Sequence, residues 1–400
     1  MQPTTRWANY AELSVLFFLH GAAMSMWFVP LSTVLDAHGL QAVKAYAFAA
    51  SAVAAFISPL IFGAMADRHL GPLRVLRWLA LATSAAMALA ATSIKLGWST
   101  WLVLALIQLH ALCSAPTWSI STAIVLARLT NSQREFGPVR AMATLGWMAG
   151  CWFVSGIEAD ASPLAGYSGA VTWIILCAFT FFLPNVTPPK STEQLTLKQR
   201  LGLDALALLK HPDHRVVFIT AALVAMPLAA FYPFTPRHLR DLGLQHPTAW
   251  MSLGQITEII AMFSLAALLA NWRLKWIFAA GLACGLLRYL LCGMNTMPAV
   301  LAGVTLHGFA FTLFFVTAPV YLDGRVDSKW RARAQALMSL MTTGVGNLFG
   351  YLGSGWWFNA CETSTGIRWS LYWNGLAAAV ALVLIYFLVA YRGRTSGSQK

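Results

Sequence analysis

Trp369-Ser-Leu-Tyr-Trp-Asn-Gly-Leu-Ala-Ala-Ala-Val-Ala-Leu-Val-Leu-Ile-Tyr-Phe-Leu-Val-Ala-Tyr391 contains no Asp, Glu, Lys, Arg or His. A helix needs about 20 mostly apolar residues to cross the hydrocarbon of a bilayer. This stretch meets that length, and arginines close it at both ends, Arg368 and Arg392. Its aromatic residues also suit the two membrane interfaces, where amphipathic rings settle.

Working back from this run, the same pattern recurs. Five runs precede it in the second half: Val216 to Phe234, Thr248 to Ala270, Trp276 to Gly293, Pro298 to Leu322 and Ala334 to Phe358. Six occupy the first half: Asn9 to Leu35, Ala45 to Met65, Leu73 to Ile94, Thr100 to Ala127, Val139 to Ile157 and Leu164 to Leu183. The reading is an all-α membrane protein of twelve transmembrane helices in two six-helix bundles, residues 1–183 and 216–400. Residues 184–215 form a cytoplasmic linker. It opens with Pro184-Asn-Val-Thr-Pro-Pro-Lys190, which cannot be helical. It closes with Lys198 to Lys210, whose Leu201, Leu203, Leu206, Leu208 and Leu209 predict an amphipathic helix along the membrane surface.

Composition agrees with lipid as the principal solvent. The chain is 58% apolar and 10% charged, against about 25% charged in soluble domains. Its 17 tryptophans supply interface anchors. A net charge of +13 raises nucleic acid as a partner. The basic residues, however, lie in short clusters between apolar runs rather than along one stripe, so no nucleic acid is expected. With both termini cytoplasmic, about twenty Arg and Lys fall inside and about five outside, as the positive-inside rule requires. The apolar run near the N-terminus is too long for a signal peptide and no small-residue cleavage site follows it. The six cysteines form no CxxC pair, and neither a metal site nor a disulfide framework is expected.

Ionisable residues inside such runs carry the functional information, since each costs about 2.5–3.5 kcal/mol at a helix centre. Arg140, Glu258, Arg288, His20, His110 and His307 are the candidates. In Val139-Arg-Ala-Met-Ala-Thr-Leu-Gly-Trp147, Arg140, Thr144 and Trp147 share one helical face; Arg140 could equally snorkel to the interface. Gln255 and Glu258 share a face in the same way. A carboxylate at that depth must face a cavity, pair with a cation such as Arg288, or carry a proton. His307, with Phe311 one turn on, is read either as a bond between helices or as part of a site.

Gly63-Ala-Met-Ala-Asp-Arg-His-Leu-Gly71 lies between the second and third runs, and Asp67 and Arg68 are expected to gate a cytoplasmic seam. With the six-plus-six layout, this loop resembles the signature of the major facilitator superfamily. Four further stretches carry a closer resemblance, to the nucleoside:proton symporters of that superfamily. They are Leu201-Gly-Leu-Asp-Ala-Leu-Ala-Leu208, Gln255-Ile-Thr-Glu258, Arg140 with Thr144, Gly146 and Trp147, and Arg333-Ala-Gln-Ala-Leu-Met-Ser-Leu-Met-Thr-Thr-Gly-Val-Gly346.

The resemblance implies a site lined by Arg140, Thr144, Trp147, Gln255, Glu258, His307 and Phe311, with polar groups binding ribose and base and aromatics stacking. The family's polar pair in the seventh helix falls at Ala229 and Tyr232, and Tyr232 is counted with the site. The family's acid after the aromatic of the tenth helix is Thr312 here, which leaves Glu258 as the proton-coupling residue. The expected function is proton-coupled import of nucleosides or a similar small polar solute by alternating access, in the bacterial inner membrane, by a monomer without a cofactor. Import of a sugar or cell-wall fragment and export of amphipathic compounds are the alternatives. No HExxH, GxSxG or Walker A context points to an enzyme.

Overall fold

Helices make up nearly all of the computed structural model, which describes residues 6–66, 71–130, 132–184 and 196–393. Among the described residues, eight helical stretches are long and apolar enough to cross a membrane, from Asn9–Ala37 to Trp369–Ala390. Among the described residues, one short antiparallel ribbon is present, Glu362–Thr363 with Gly366–Ile367.

Several of the twelve expected runs are not single helices. The first breaks at Val29 and Pro30 into Arg6–Phe28 and Leu31–Ala37. The seventh breaks after Leu228, just past the internal Pro227, and resumes as Phe231–Asp241. The tenth and eleventh each contain a π-helical turn, Thr312–Val316 and Leu340–Gly346. A π turn leaves carbonyls that the α ladder does not satisfy; the Thr317 hydroxyl donates back to the Thr312 carbonyl at 3.1 Å. The expected amphipathic helix of the linker is two pieces. Leu197–Arg200 is α-helical and Leu203–Lys210 is 3₁₀. Gly202 stands between them at φ +67°, a conformation that ends an α-helix and that glycine adopts without strain. Its apolar residues do not lie loose: Ala205 is fully buried, with Leu208 and Leu209 packed on the same cluster.

The chain divides into two compact units, Met1–Gln194 with Tyr232–Ser252, and Leu195–Phe231 with Leu253–Lys400. In the first unit the helices Arg6–Phe28 and Ser132–Gly156 meet backbone to backbone. A Cβ on Gly146 would land on the Phe18 carbonyl, and one on Gly21 would land on the Ala143 carbonyl. Lipid gives helices little hydrophobic reason to associate, so close approach through small residues supplies the contact energy. Arg77 closes the helix Leu164–Phe179, donating to both the hydroxyl and the carbonyl of Thr180 at 2.8 Å while its guanidinium covers Phe181.

The segment Tyr232–Ser252 is tied into the first unit by directed bonds. Asp160 Oδ1 accepts from the Ser155 hydroxyl at 2.9 Å and from the Thr248 amide at 2.8 Å. Ser155 accepts from the Ala249 amide at 3.0 Å, and the Trp152 indole donates to Ser252 at 2.9 Å. The Ser32 hydroxyl donates to the Pro233 carbonyl. Asp36 binds Lys44 at 2.7 Å, with Arg237 at 3.8 Å.

In the second unit, Gly346 and Gly350 of the glycine-rich eleventh run lie against the helix Pro212–Leu228, whereas Gly353 faces open space. Large apolar side chains remain outside in both units, among them Trp101, Phe182, Leu382 and Val389. Exposed apolar surface on this scale matches lipid rather than water.

Candidate functional site

The predicted site residues lie in two groups, one in each unit. In the first unit, Arg140, Thr144 and Trp147 share a face of Ser132–Gly156 beside the one that Ala143 and Gly146 press against Arg6–Phe28. The Arg140 guanidinium lies over the Trp118 ring at 4.4 Å. It is therefore placed by an aromatic face as well as by the chain, a cation–π contact worth about 0.5–2 kcal/mol. Trp118 also meets His20 edge-on at 5.2 Å.

His20 has both ring nitrogens engaged by hydroxyls, Nδ1 with Ser121 at 3.1 Å and Nε2 with Thr117 at 3.0 Å. A neutral ring satisfies that pair with one donor and one acceptor nitrogen. His110 is buried edge-on to Trp27 at 5.8 Å. Trp147, Phe28 and Tyr232 form an aromatic triangle with centroid separations of 6.1, 5.2 and 5.9 Å. Thr144, one turn before Trp147 on the same helix, is buried. The Trp147 indole N–H has no partner among the described residues.

In the second unit, Gln255 and Glu258 occupy the buried side of Leu253–Asn271, at 3% and 7% exposure, whereas Ile256, Ile260 and Phe263 are 40%, 51% and 68% exposed. The carboxylate thus faces away from the lipid stripe of its own helix. Gly308 fixes the distance to the next helix. A Cβ there would land on the Glu258 amide, the Gly254 carbonyl and the Thr257 hydroxyl, so only glycine allows His307–Phe311 to lie this close. His307 stacks on Phe231 at 4.2 Å with 12° between the planes and lies 6.1 Å from Phe311. Arg288 is fully buried. Among the described residues it forms no ion pair with Glu258, the pairing that the sequence allowed. Its NH1 donates to His307 Nδ1 at 2.7 Å and its NH2 donates to the Tyr289 hydroxyl at 2.7 Å. Thr312, expected from the resemblance to stand where the family has an acid, is buried at the start of the π turn, and its hydroxyl has no partner among the described residues.

Sequence reasoning missed Phe28, Phe231 and Tyr289. Each is an ordinary apolar or aromatic member of its run, and no spacing marks it as part of a site. Arg288 was visible as a buried charge, but its partner was not. Asp67 and Arg68 lie outside the described residues. Chemically, both groups combine few polar atoms with aromatic faces in dry surroundings, which is how small polar solutes with flat rings are held.

Comparison with known proteins follows the same lines. The model of the family described as "Nucleoside H+ symporter" matches residues 8–396. The candidate nucleoside transporter YegT of Escherichia coli (strain K12) is 33% identical over 96% of this chain and 93% of its own length. The xanthosine permease of the same organism is 24% identical, with 94% of each chain covered. A crystal structure of a point mutant of the nucleoside transporter NupG superposes with a TM-score of 0.88 at 23% identity, covering 96% of this chain and all of that one. The helical arrangement is therefore shared with a solved transporter, and the chain belongs to the nucleoside H+ symporter family.

Proposed function

We propose that this protein imports nucleosides together with protons by alternating access. It does so as a monomer in the bacterial inner membrane, with twelve crossing helices and both termini in the cytoplasm. Residues 1–183 and 216–400 act as the two bundles, and residues 184–215 tether them on the cytoplasmic side. Arg140, Thr144, Trp147 and Tyr232 from one group, and Gln255, His307 and Phe311 from the other, engage the same solute. Asp67 and Arg68 act on the conformational cycle rather than on the solute.

The observation that carries the reading is Glu258. It is a carboxylate at 7% exposure on the protein-facing side of a helix whose opposite face is apolar and exposed. A carboxylate at that depth is ionised only at a cost that the groups facing it must offset, so a proton taken up there shifts that balance. With Thr312 in place of a second acid, Glu258 is the residue that takes the proton as solute binds. An inward proton gains about 2.3 kcal/mol per 100 mV of membrane potential, which supports accumulation against a gradient.

Uptake of labelled uridine into proteoliposomes, with and without an inward pH gradient, tests the proposal. The wild type concentrates uridine when the gradient is present. Glu258→Gln keeps the side chain's shape and still exchanges uridine, but does not concentrate it. Gradient-driven accumulation by Glu258→Gln contradicts the coupling role; absence of uridine transport by the wild type contradicts the solute.

A further inference from the structure

We infer that Arg288 holds His307 as a neutral ring protonated at Nε2, making His307 a fixed hydrogen-bond donor to the solute. This rests on the solute reading above for its function, but the lock itself rests on geometry alone.

A guanidinium has five N–H donors, no acceptor, and keeps its charge at every pH a protein meets. Arg288 NH1 stands 2.7 Å from His307 Nδ1. The nitrogen at that position must offer a lone pair. A doubly protonated imidazole has none, and it would also set two positive charges at hydrogen-bond distance in a site where Arg288 is fully buried. The ring is therefore neutral, and its single hydrogen is on Nε2.

The surroundings fix the rest of the geometry. NH2 of the same guanidinium donates to the Tyr289 hydroxyl at 2.7 Å, so that hydroxyl turns its own hydrogen to the Pro227 carbonyl. Every bond in the chain runs outward from Arg288, and none can reverse. Phe231 completes the clamp. It lies flat on His307 at 4.2 Å and under the Arg288 guanidinium at 4.8 Å, so one ring fixes both the plane of the imidazole and the position of the cation. The ionisable groups on Leu274–Gly293 are Lys275, Cys284, Arg288, Tyr289 and Cys292, and Leu253–Asn271 carries Glu258; of these, Arg288 bonds the ring. In this division His307 supplies a donor, while the function proposed above gives the proton to Glu258. The chemistry that such a donor recognises is a carbonyl, hydroxyl or ring-nitrogen acceptor on the solute. Arg288 acts through His307, as a positioning residue.

Nitrogen-15 imidazole spectroscopy of the full-length transporter in lipid nanodiscs tests this, with the His307 signal assigned by its loss in His307→Gln. The expected wild-type spectrum is that of the neutral, Nε2-protonated ring, unchanged across about pH 5 to 8, the range in which a free histidine titrates. A second proton within that range, or a proton on Nδ1, overturns the proposal. Arg288→Met removes the lock at similar bulk. Its ring should interchange tautomers and titrate, and the KM for uridine should rise about tenfold, the loss of one well-placed hydrogen bond, with a smaller change in kcat. Arg288→Lys keeps a charged donor and should restore most of both readouts. A KM that stays at the wild-type value while the Arg288→Met ring titrates overturns the positioning role. A locked ring in a protein that carries no uridine upholds the lock and removes the nucleoside reading alone.

Discussion

Replacing Asp160 with Ala removes the acceptor that holds the Tyr232–Ser252 segment in the first unit. Its Oδ1 takes the Ser155 hydroxyl at 2.9 Å and the Thr248 amide at 2.8 Å. Hydrogen bonds to a charged group contribute about 1.5–3 kcal/mol each, but the two losses do not simply add. Ser155 keeps its bond from the Ala249 amide, and its hydroxyl can turn to another acceptor. The Thr248 amide cannot move without its helix, and Thr248 is fully buried. The net cost is therefore about 2–3 kcal/mol, close to that of one unsatisfied buried donor plus the lost charge. At about 1.4 kcal/mol per tenfold, detachment of the segment becomes about 30- to 140-fold more populated.

A single cysteine at Thr235 reports this population. The site is fully buried, its hydroxyl has no partner among the described residues, and Thr235→Cys changes little else. In a background lacking the six native cysteines, the thiol labelling rate should rise by that factor in Asp160→Ala. Asp160→Asn keeps an oxygen acceptor but not the charge, and should give a smaller rise. A labelling rate in Asp160→Ala equal to that of the parent refutes the assignment of Asp160 as the tie.

Two further substitutions probe the site groups. Gly308→Ala places a methyl group on the Glu258 amide and the Gly254 carbonyl; it should lower thermal stability by about 1–3 kcal/mol, the usual cost of overpacking, and a melting curve in detergent checks this. Arg140→Lys keeps the charge but exchanges a flat guanidinium over Trp118 for a compact ammonium, and should weaken uridine binding about three- to tenfold without lowering the yield of folded protein, as measured by equilibrium binding and size-exclusion chromatography.

The lipid-facing architecture was legible because one requirement, length without charge, sets it. The last run was expected at Trp369 to Tyr391 and the helix is Trp369–Ala390; the fourth was expected at Thr100 to Ala127 and the helix is Thr100–Arg128. The burial of Glu258 and Gln255 was legible for a similar reason. Their spacing puts them on one face, and Ile256 and Ile260 leave the other to lipid. What could not be read was pairing between distant segments. Nothing local in Leu286-Leu-Arg-Tyr289 says that Arg288 meets a histidine 19 residues away rather than Glu258. Nor does Phe231-Tyr-Pro-Phe234 say that Tyr232 packs with Phe28 and Trp147. The breaks inside the tenth and eleventh runs were equally hidden. An apolar run has the same composition whether its backbone winds as α or π, so hydropathy reports depth in the membrane and not register.

The π turn at Thr312–Val316 has a mechanical meaning. A wider turn is an α-helix carrying one surplus residue, held as a blister on an otherwise regular rod. If the blister moves one turn along the rod, the residues it passes advance by one position, a rotation of about 100°. Such a shift turns the buried side chains of Thr312–Val316 through more than a quarter circle while leaving both ends of the helix where they were. The same device sits at Leu340–Gly346 in the following helix. A transporter built with two of them can re-aim side chains in mid-membrane by peristalsis within a helix, with no need to swing the helix itself through lipid.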